Sequence, residues 1–210
     1  MQDHEPSTLI TGATGFLGRN LLFRMLEREE EGRISLLVRG RGKSSPRDRL
    51  HRILNTRYGK EQAGAYKKRI DLILGDVTWK HFGMDDRTYS RLAGRVERVI
   101  HGAASVLFDL PLEMARNINV EGTRNLLDFA AEAHRMGTLR RMDYVGTAYV
   151  AGKRQGLVTE DELDEGQAFN NTYEQTKLEA ERLVRERWGE LPLAVYRPSI
   201  VVGESTTGRT

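Results

Sequence analysis

The chain has 210 residues, of which 30% are charged and 39% hydrophobic, and such a length and composition are typical of one globular domain. It contains no cysteine, which excludes disulfides, thiolate metal sites and a cysteine nucleophile. No apolar run approaches the ~18–20 residues of a membrane span, and the polar N-terminal residues do not resemble a signal peptide, so we expect a cytoplasmic protein without a membrane span.

The N-terminal part of the chain predicts a strand, a helix and a second strand. Residues 8–11 form a short apolar strand that runs into a glycine-rich turn. The next segment has apolar residues on one helical face and ends near Gly32. Residues 34–38 are apolar on both faces, as in a central parallel strand. Together these segments predict a βαβ unit.

The same alternation continues to the end of the chain. Ser45 and Pro46 are suited to start a basic helix, and further helices are predicted at 111–136 and 171–188. Strands are predicted at 70–77, 98–103, 141–150 and 193–202, and an acidic loop at 160–165 is expected to be solvent-exposed. This pattern predicts an α/β fold, a Rossmann-type doubly wound parallel sheet flanked by helices.

The turn after the first strand carries glycines at the spacing G-x-x-G-x-x-G. Gly12 permits the tight turn, Gly15 lets the backbone approach a pyrophosphate, and Gly18 allows close packing of helix on strand. The helix N-terminus adds free N–H groups and the positive end of its dipole. Between a strand and an amphipathic helix, this spacing predicts a dinucleotide-binding turn.

The residues after the second strand indicate which dinucleotide is bound. An Asp or Glu there would hold a ribose 2′-hydroxyl, but the sequence has Arg39 and Arg41, which suit a 2′-phosphate and favour NADP(H). These arginines begin a segment, residues 39–69, with eleven Lys or Arg and two carboxylates. That segment is poor in aromatics and lacks a nucleic-acid reader motif, so we expect no nucleic-acid partner.

Tyr173 and Lys177 form a Y-x-x-x-K pair within the last predicted helix. Four residues apart, they lie on one helical face. An ammonium beside the phenol is expected to lower its pKa from near ~10, so that Tyr173 can exchange a proton with a carbonyl oxygen near neutral pH. The pair predicts general acid–base chemistry.

Eight segments in this order resemble the extended short-chain dehydrogenases/reductases: TGATGFLG, LLVRG, LGDVT, HGAAS, NVEGTRNLLDFA, YVGTAYVAG, YEQTK and YRPSIVVG. LVRG, the basic insertion after it and YRPSIVVGES are most similar to the fatty acyl-CoA reductase (male-sterility) and thioester-reductase group. The resemblance implies that residues 1–210 form an NADP(H)-binding Rossmann domain carrying the catalytic Tyr and Lys. It also implies that the C-terminal substrate domain is missing or truncated, with the substrate-binding region mostly beyond residue 210.

The resemblance implies a catalytic set of Thr147, Tyr173, Lys177 and Asn119. Tyr173 would be the general acid, Thr147 would hydrogen-bond the substrate carbonyl, and Lys177 would bind the nicotinamide ribose. Asn119 would support proton relay, although a structural role in a helix kink is an equal alternative. The implied cofactor contacts are Gly12, Thr14, Gly15, Phe16, Leu17, Gly18, Arg39, Arg41, Asp76, Val77, Gly102, Ala103, Ala104, Lys177, Pro198 and Ser199. Asp76 could equally be a turn residue, and we interpret His101 as strand-end packing.

The implied activity is NADPH-dependent hydride transfer to an acyl thioester, on CoA or a carrier, or to the derived aldehyde. One alternative is a dehydrogenase or epimerase of a sugar nucleotide or hydroxysteroid, since the same residues serve those reactions. Another is a non-catalytic NADP-binding sensor or scaffold, which the intact Tyr173 and Lys177 disfavour. The expected partner is a small-molecule or carrier-bound acyl substrate, and a homodimer is possible; no metal site is predicted.

Overall fold

The computed structural model describes residues 7–28, 32–40 and 45–203. Its strands are β1 (Ser7–Thr11), β2 (Arg33–Val38), β3 (Ile70–Leu74), β4 (Val96–His101), β5 (Arg141–Val145) and β6 (Leu193–Tyr196). They form one sheet in the order β3-β2-β1-β4-β5-β6, and every neighbouring pair is parallel. The order reverses between β1 and β4, where open α/β sheets bind ligands at their carboxyl edge. The predicted Rossmann-type sheet is confirmed.

Helices cover both faces of this sheet. They are α1 (Phe16–Glu27), α2 (Pro46–Lys67), α3 (Asp86–Ala93), α4 (Leu112–Arg116), α5 (Gly122–Arg135) and α6 (Thr172–Glu186). Consecutive strand residues face opposite sides, so Leu9 packs in the cluster that includes α3, α5 and α6, whereas Ile10 packs with α1 and α2. None of the helices in the described ranges is both long and apolar enough to cross a bilayer.

Three strands are shorter than the sequence predicts. β3 ends at Leu74 rather than 77, β5 at Val145 rather than 150, and β6 at Tyr196 rather than 202. After β3, Asp76 accepts hydrogen bonds from Thr78, and after β5, Thr147 starts a 3-10 turn. These side-chain-capped turns replace the strand ladder with local hydrogen bonds.

The long helix predicted at 111–136 is divided into α4, a π-helical turn at Asn117–Glu121, and α5. Single π turns inserted into α-helices are frequent at functional sites. Helix α3 was not predicted from the sequence. Its local signal is Asp85, whose side chain accepts a hydrogen bond from the Thr88 N–H at 2.9 Å and caps the helix.

The acidic loop 160–165 is exposed at most of its positions, as expected, but it is also fixed to α6 and to the end of β6. Arg185 donates to the carbonyls of Glu160 and Asp161, and Arg197 donates to the carbonyl of Glu162. Ion pairs from Arg154 and Arg182 reach carboxylates of the same loop. Arginines therefore hold the loop against the helix that carries Tyr173 and Lys177.

Candidate active site

The glycine-rich turn between β1 and α1 is built for close backbone approach. Gly12 has φ +76, and a Cβ there would lie 2.5 Å from the Gly102 carbonyl oxygen. A Cβ on Gly18 would lie 2.2 Å from the Gly12 carbonyl oxygen, so the helix can pack this closely only without a side chain. Gly15 is the N-cap of α1 and provides no side-chain cap. The first N–H groups of the helix therefore suit a bound phosphate.

A cleft of about 350 Å³ extends from this turn to the end of β2. Predicted cofactor contacts make up much of its lining: Gly12, Thr14, Gly15, Arg39, Val77, Gly102, Ala103 and Ala104. Within the described ranges no carboxylate lines the cleft, whereas Arg39 and Arg49 do. A ligand that carries several phosphates fits this charge, and a nicotinamide dinucleotide is such a ligand.

The other predicted cofactor contacts within the described residues do not belong to the cleft lining. Phe16 and Leu17 are in the first turn of α1, with Gly18 buried behind them. Lys177 lies on α6, and Pro198 and Ser199 follow β6. Arg41 lies outside the described residues.

Arg49 lines the cleft although the sequence did not single it out. Ser45 caps α2 by accepting a hydrogen bond from the Asp48 N–H at 3.1 Å, and Pro46 occupies the first turn. This start places Arg49 in the cleft lining, where its guanidinium donates to the Arg39 carbonyl. The sequence did contain a signal for this placement, since only a few residues separate the end of β2 at Val38 from the helix cap at Ser45.

Asp76 is a turn residue in this structure. Its carboxylate is buried and accepts from the N–H of Thr78 at 3.0 Å and from the Thr78 hydroxyl at 2.9 Å. The turn presents the next residue, Val77, to the cleft. The sequence left two roles open for Asp76, a cofactor contact and a turn residue, and these hydrogen bonds favour the turn residue.

His101 ends β4 and is buried between two threonine hydroxyls. Its Nδ1 lies 2.7 Å from Thr11 Oγ1, and its Nε2 lies 3.1 Å from Thr123 Oγ1. Thr123 donates its own proton to the Asn119 carbonyl at 2.6 Å, so its oxygen can only accept from His101. We therefore assign the ring proton to Nε2, which donates to Thr123, while Nδ1 accepts from the Thr11 hydroxyl. Burial lowers the pKa of His101 to about 3, and the ring is neutral near pH 7. These contacts agree with packing rather than catalysis.

Tyr173 lies in the first turn of α6, which begins there because Asn171 accepts a hydrogen bond from the Glu174 N–H at 2.9 Å. Burial raises the pKa of the Tyr173 phenol, and the Thr147 hydroxyl beside it acts in the opposite direction. Thr147 itself is 3% exposed and accepts from the Tyr149 N–H at 3.2 Å. The structure therefore brings Tyr173 and Thr147 together.

Lys177 is buried one turn further along α6. Its ammonium donates to Tyr144 Oη and to the Val145 carbonyl, both at 2.8 Å. Burial lowers the pKa of Lys177 to about 7, and the charge of Glu181 counteracts this shift.

The expected lowering of the Tyr173 pKa by Lys177 is wrong for this structure. The pKa of Tyr173 is raised, and Lys177 is not among the groups that shift it. The i, i+4 spacing does place both residues on one face of α6. The ammonium, however, hydrogen-bonds to β5 groups that the helix pattern alone could not reveal.

Asn119 sits in the π-helical turn, 2% exposed. Its Oδ1 accepts from the Ser105 N–H at 2.7 Å, and its Nδ2 donates to the Ser105 carbonyl at 3.2 Å and to Thr176 Oγ1 at 2.9 Å. The side chain thus ties the loop after β4 to α6. These contacts favour the structural alternative that the sequence left open for Asn119.

The segment after β6 lies beside Thr147. The Pro198 carbonyl accepts from the Ala148 N–H at 3.0 Å and from the Thr147 hydroxyl at 3.4 Å. Gly146 is tightly packed, since a Cβ there would lie 3.1 Å from Glu181 Oε2 and 3.2 Å from the Tyr196 carbonyl oxygen, and these neighbours would have to shift by a few tenths of an ångström. Pro198 is therefore held at the proposed catalytic turn, and Ser199 follows it as an exposed residue.

A family model described as male sterility protein, an NAD-binding domain, matches residues 10–210. The chain belongs to this family. Membership of the male sterility protein family confirms the predicted likeness to extended short-chain dehydrogenases/reductases. The cofactor class is therefore a nicotinamide dinucleotide.

Known relatives of this male sterility family member include reductases. A putative fatty acyl-CoA reductase of Drosophila melanogaster is 27% identical, over 92% of this chain and 40% of that protein. The terminal R domain from the myxalamid PKS-NRPS pathway matches with a TM-score of 0.83 and 32% identity, over 98% of this chain and 51% of that one. A thiolation-reductase di-domain from an archaeal non-ribosomal peptide synthetase matches with a TM-score of 0.75 and 25% identity, over 92% and 41%. The chain spans about half of these proteins or less.

Proposed function

We propose that this chain is the cofactor-binding and catalytic part of an NADPH-dependent reductase of acyl thioesters. The substrate would be an acyl group on CoA or on a carrier protein, or the aldehyde derived from it. The relatives support this class, since one is named as a fatty acyl-CoA reductase and another joins a reductase to a thiolation domain. We also propose that most of the substrate-binding region lies beyond residue 210.

The observation that carries the proposal is the surface around Tyr173. The phenol has a hydroxyl neighbour in Thr147, and the ring of Phe108 lies 5.7 Å from the Tyr173 ring, centroid to centroid. Phe108 is 58% exposed and is preceded by two further exposed apolar residues, Val106 and Leu107. The Thr172 hydroxyl fixes this loop, since its oxygen lies 2.8 Å from the Leu110 carbonyl oxygen and 3.2 Å from that of Phe108. A proton donor at the edge of apolar surface suits the carbonyl of an acyl chain.

The proposed chemistry assigns one role to each residue. A reduced nicotinamide cofactor, when bound, supplies the hydride. Tyr173 donates its proton to the substrate oxygen, and Thr147 donates a hydrogen bond to the same oxygen as its negative charge develops. The raised pKa of Tyr173 keeps this proton on the phenol near neutral pH. With a thioester, the resulting thiohemiacetal breaks its C–S bond and releases the thiol and the aldehyde.

NADP(H) is the proposed cofactor because the cleft offers arginines where NAD-specific proteins carry a carboxylate. Arg39 follows β2 directly, and Arg49 lines the same cleft. An arginine fork can bind a 2′-phosphate through two charge-assisted hydrogen bonds. We propose that the two residues together hold that phosphate, with the α1 N-terminus on the pyrophosphate.

The cofactor proposal predicts a selective loss in the Arg39→Ala variant. Its NADPH affinity should fall by roughly tenfold, and its NADH affinity should stay near wild type, because only NADPH carries the 2′-phosphate. Titration of cofactor fluorescence on the 210-residue chain measures both. Arg47→Ala removes an exposed arginine of the same basic segment that does not line the cleft, and should change neither. Equal losses for both cofactors, or equal wild-type affinities, would contradict the proposal.

The substrate proposal is tested by NADPH oxidation with acyl thioesters of increasing chain length and with sugar nucleotides. The full-length protein should turn over acyl-CoA or carrier-bound acyl groups and not sugar nucleotides. Phe108→Ala should raise the KM for long acyl chains by roughly five- to tenfold and leave acetyl thioesters almost unchanged, because it removes apolar contact surface.

A matched control is Met136→Ala, which removes another exposed apolar side chain, at the C-terminal end of α5. It should leave the chain-length dependence unchanged. Turnover of sugar nucleotides with no turnover of thioesters would overturn the substrate class.

A further inference from the structure

Lys177 has a preformed environment on β5. Its Nζ lies 2.8 Å from Tyr144 Oη and 4.4 Å from the centroid of the Tyr144 ring. The Val145 carbonyl takes a second N–H at 2.8 Å. An ammonium has three N–H donors. Two of them are bound by β5, and the third has no hydrogen-bond partner in the described part of the chain.

We propose that Tyr144 is a positioning residue, which holds the Lys177 ammonium at the end of β5 and keeps it protonated for the contact with the nicotinamide ribose that the family resemblance implies. The second part of this proposal rests on the proposed function, and the first part does not. Nothing in the sequence pattern singled out Tyr144, since it reads as an ordinary strand residue.

The surroundings of Tyr144 make its oxygen an acceptor for Lys177. Its side chain is fully buried, and burial raises the pKa of the phenol, which stays protonated near neutral pH. The Thr123 hydroxyl hydrogen-bonds to this phenol, and the nearby Glu181 and Tyr173 raise the pKa of Tyr144 further. Thr123 in turn donates to the Asn119 carbonyl at 2.6 Å and contacts His101 Nε2 at 3.1 Å. Hydroxyls of two buried residues thus connect Lys177 to the π-helical turn.

Charged groups around the lysine do not replace this contact. The negative charge of Glu181 raises the pKa of Lys177, but the carboxylate itself forms ion pairs with Arg185 and Arg197. His101 is neutral near pH 7. The hydrogen bonds from Lys177 to Tyr144 and Val145 therefore supply the direct local stabilisation of a buried charge.

The test measures the pKa of Lys177 in the absence of cofactor and substrate. In the 210-residue chain with 13C-labelled lysine, NMR titration should show one lysine with a pKa near 7, assigned by its absence in Lys177→Met. Tyr144→Phe keeps the ring and removes the acceptor oxygen. It should move this titration down by about one to two pH units, the size expected for losing a hydrogen bond to a charged group.

Thr123→Val is the second variant, and it should move the same titration in the same direction by a smaller amount. Tyr89→Phe is the control, because Tyr89 is also buried but lies in α3 and packs on Phe82 and Phe129. Tyr89→Phe should leave the pKa of Lys177 unchanged. An unchanged or raised Lys177 pKa in a folded Tyr144→Phe protein would overturn the proposal.

In the full-length enzyme, the alkaline limb of the pH profile of kcat should move to lower pH in Tyr144→Phe by the same amount. A shift in the NMR titration without one in the pH profile would overturn the role in the reaction and leave the positioning contact standing. If Tyr144→Phe lowers the Lys177 pKa as expected but the full-length protein does not reduce thioesters, the proposed function would be overturned and the contact between Tyr144 and Lys177 would stand.

Discussion

Replacement of Tyr173 by Phe is expected to lower kcat for thioester reduction by roughly 10²–10⁴-fold. The change removes only the phenolic oxygen, which is the proposed proton donor. The folded structure should persist, because Tyr173 is half-buried and its ring contact with Phe108 does not need the hydroxyl. NADPH affinity should therefore stay within about twofold of wild type. Steady-state kinetics and cofactor titration on the same preparation measure both quantities.

Tyr149→Phe is the matched control for this experiment. Tyr149 is 37% exposed and close enough to influence the pKa of Tyr173, but we assign it no proton transfer. Its variant should retain near wild-type kcat. Undiminished turnover in Tyr173→Phe, or an equal loss in Tyr149→Phe, would rule out Tyr173 as the specific acid.

Glu181→Gln is expected to destabilise the fold by about 3–5 kcal/mol, the usual cost of removing one partner of a buried ion pair. Glu181 is fully buried on α6, and its Oε1 lies 2.7 Å from Arg197 Nη2 and 3.1 Å from Arg185 Nε. The Arg197 side chain is only 10% exposed, so the variant would leave it buried without its carboxylate. Urea denaturation should show a lower midpoint with an unchanged slope.

Glu179→Gln tests whether burial causes this effect. Glu179 is on the same helix and pairs with Arg116 at 2.9 Å, but both side chains are partly exposed. Its loss should cost about 1 kcal/mol or less, because water screens the pair. Similar destabilisation in the two variants would contradict the importance of burial. Glu181→Gln should also lower the pKa of Lys177 below about 7, since Glu181 favours the ammonium.

Local chemistry was sufficient to predict a tight glycine-rich turn between β1 and α1. Gly12 has a positive φ, and Gly18 packs on the Gly12 carbonyl close by in the chain, so their spacing was a sufficient signal, although the close approach of Gly12 to Gly102 is a tertiary contact. The Rossmann-type sheet followed from the alternation of strands and helices, because each apolar segment has only a few ways to be buried. Strand ends were predicted less well, since the turns at Asp76 and Thr147 depend on side-chain hydrogen bonds rather than on hydropathy.

For Tyr173 and Lys177, the sequence predicted the shared helical face but not the hydrogen-bond partners of the lysine. The sequence by itself determined that both residues share one face of a helix, because helical geometry fixes the i, i+4 spacing. Only the tertiary structure decided that Lys177 donates to Tyr144 and the Val145 carbonyl, and that Arg49 joins Arg39 in the cleft. These contacts join residues from different elements, and the pKa of a buried group depends on that packing, on desolvation and on the partners that folding brings beside it.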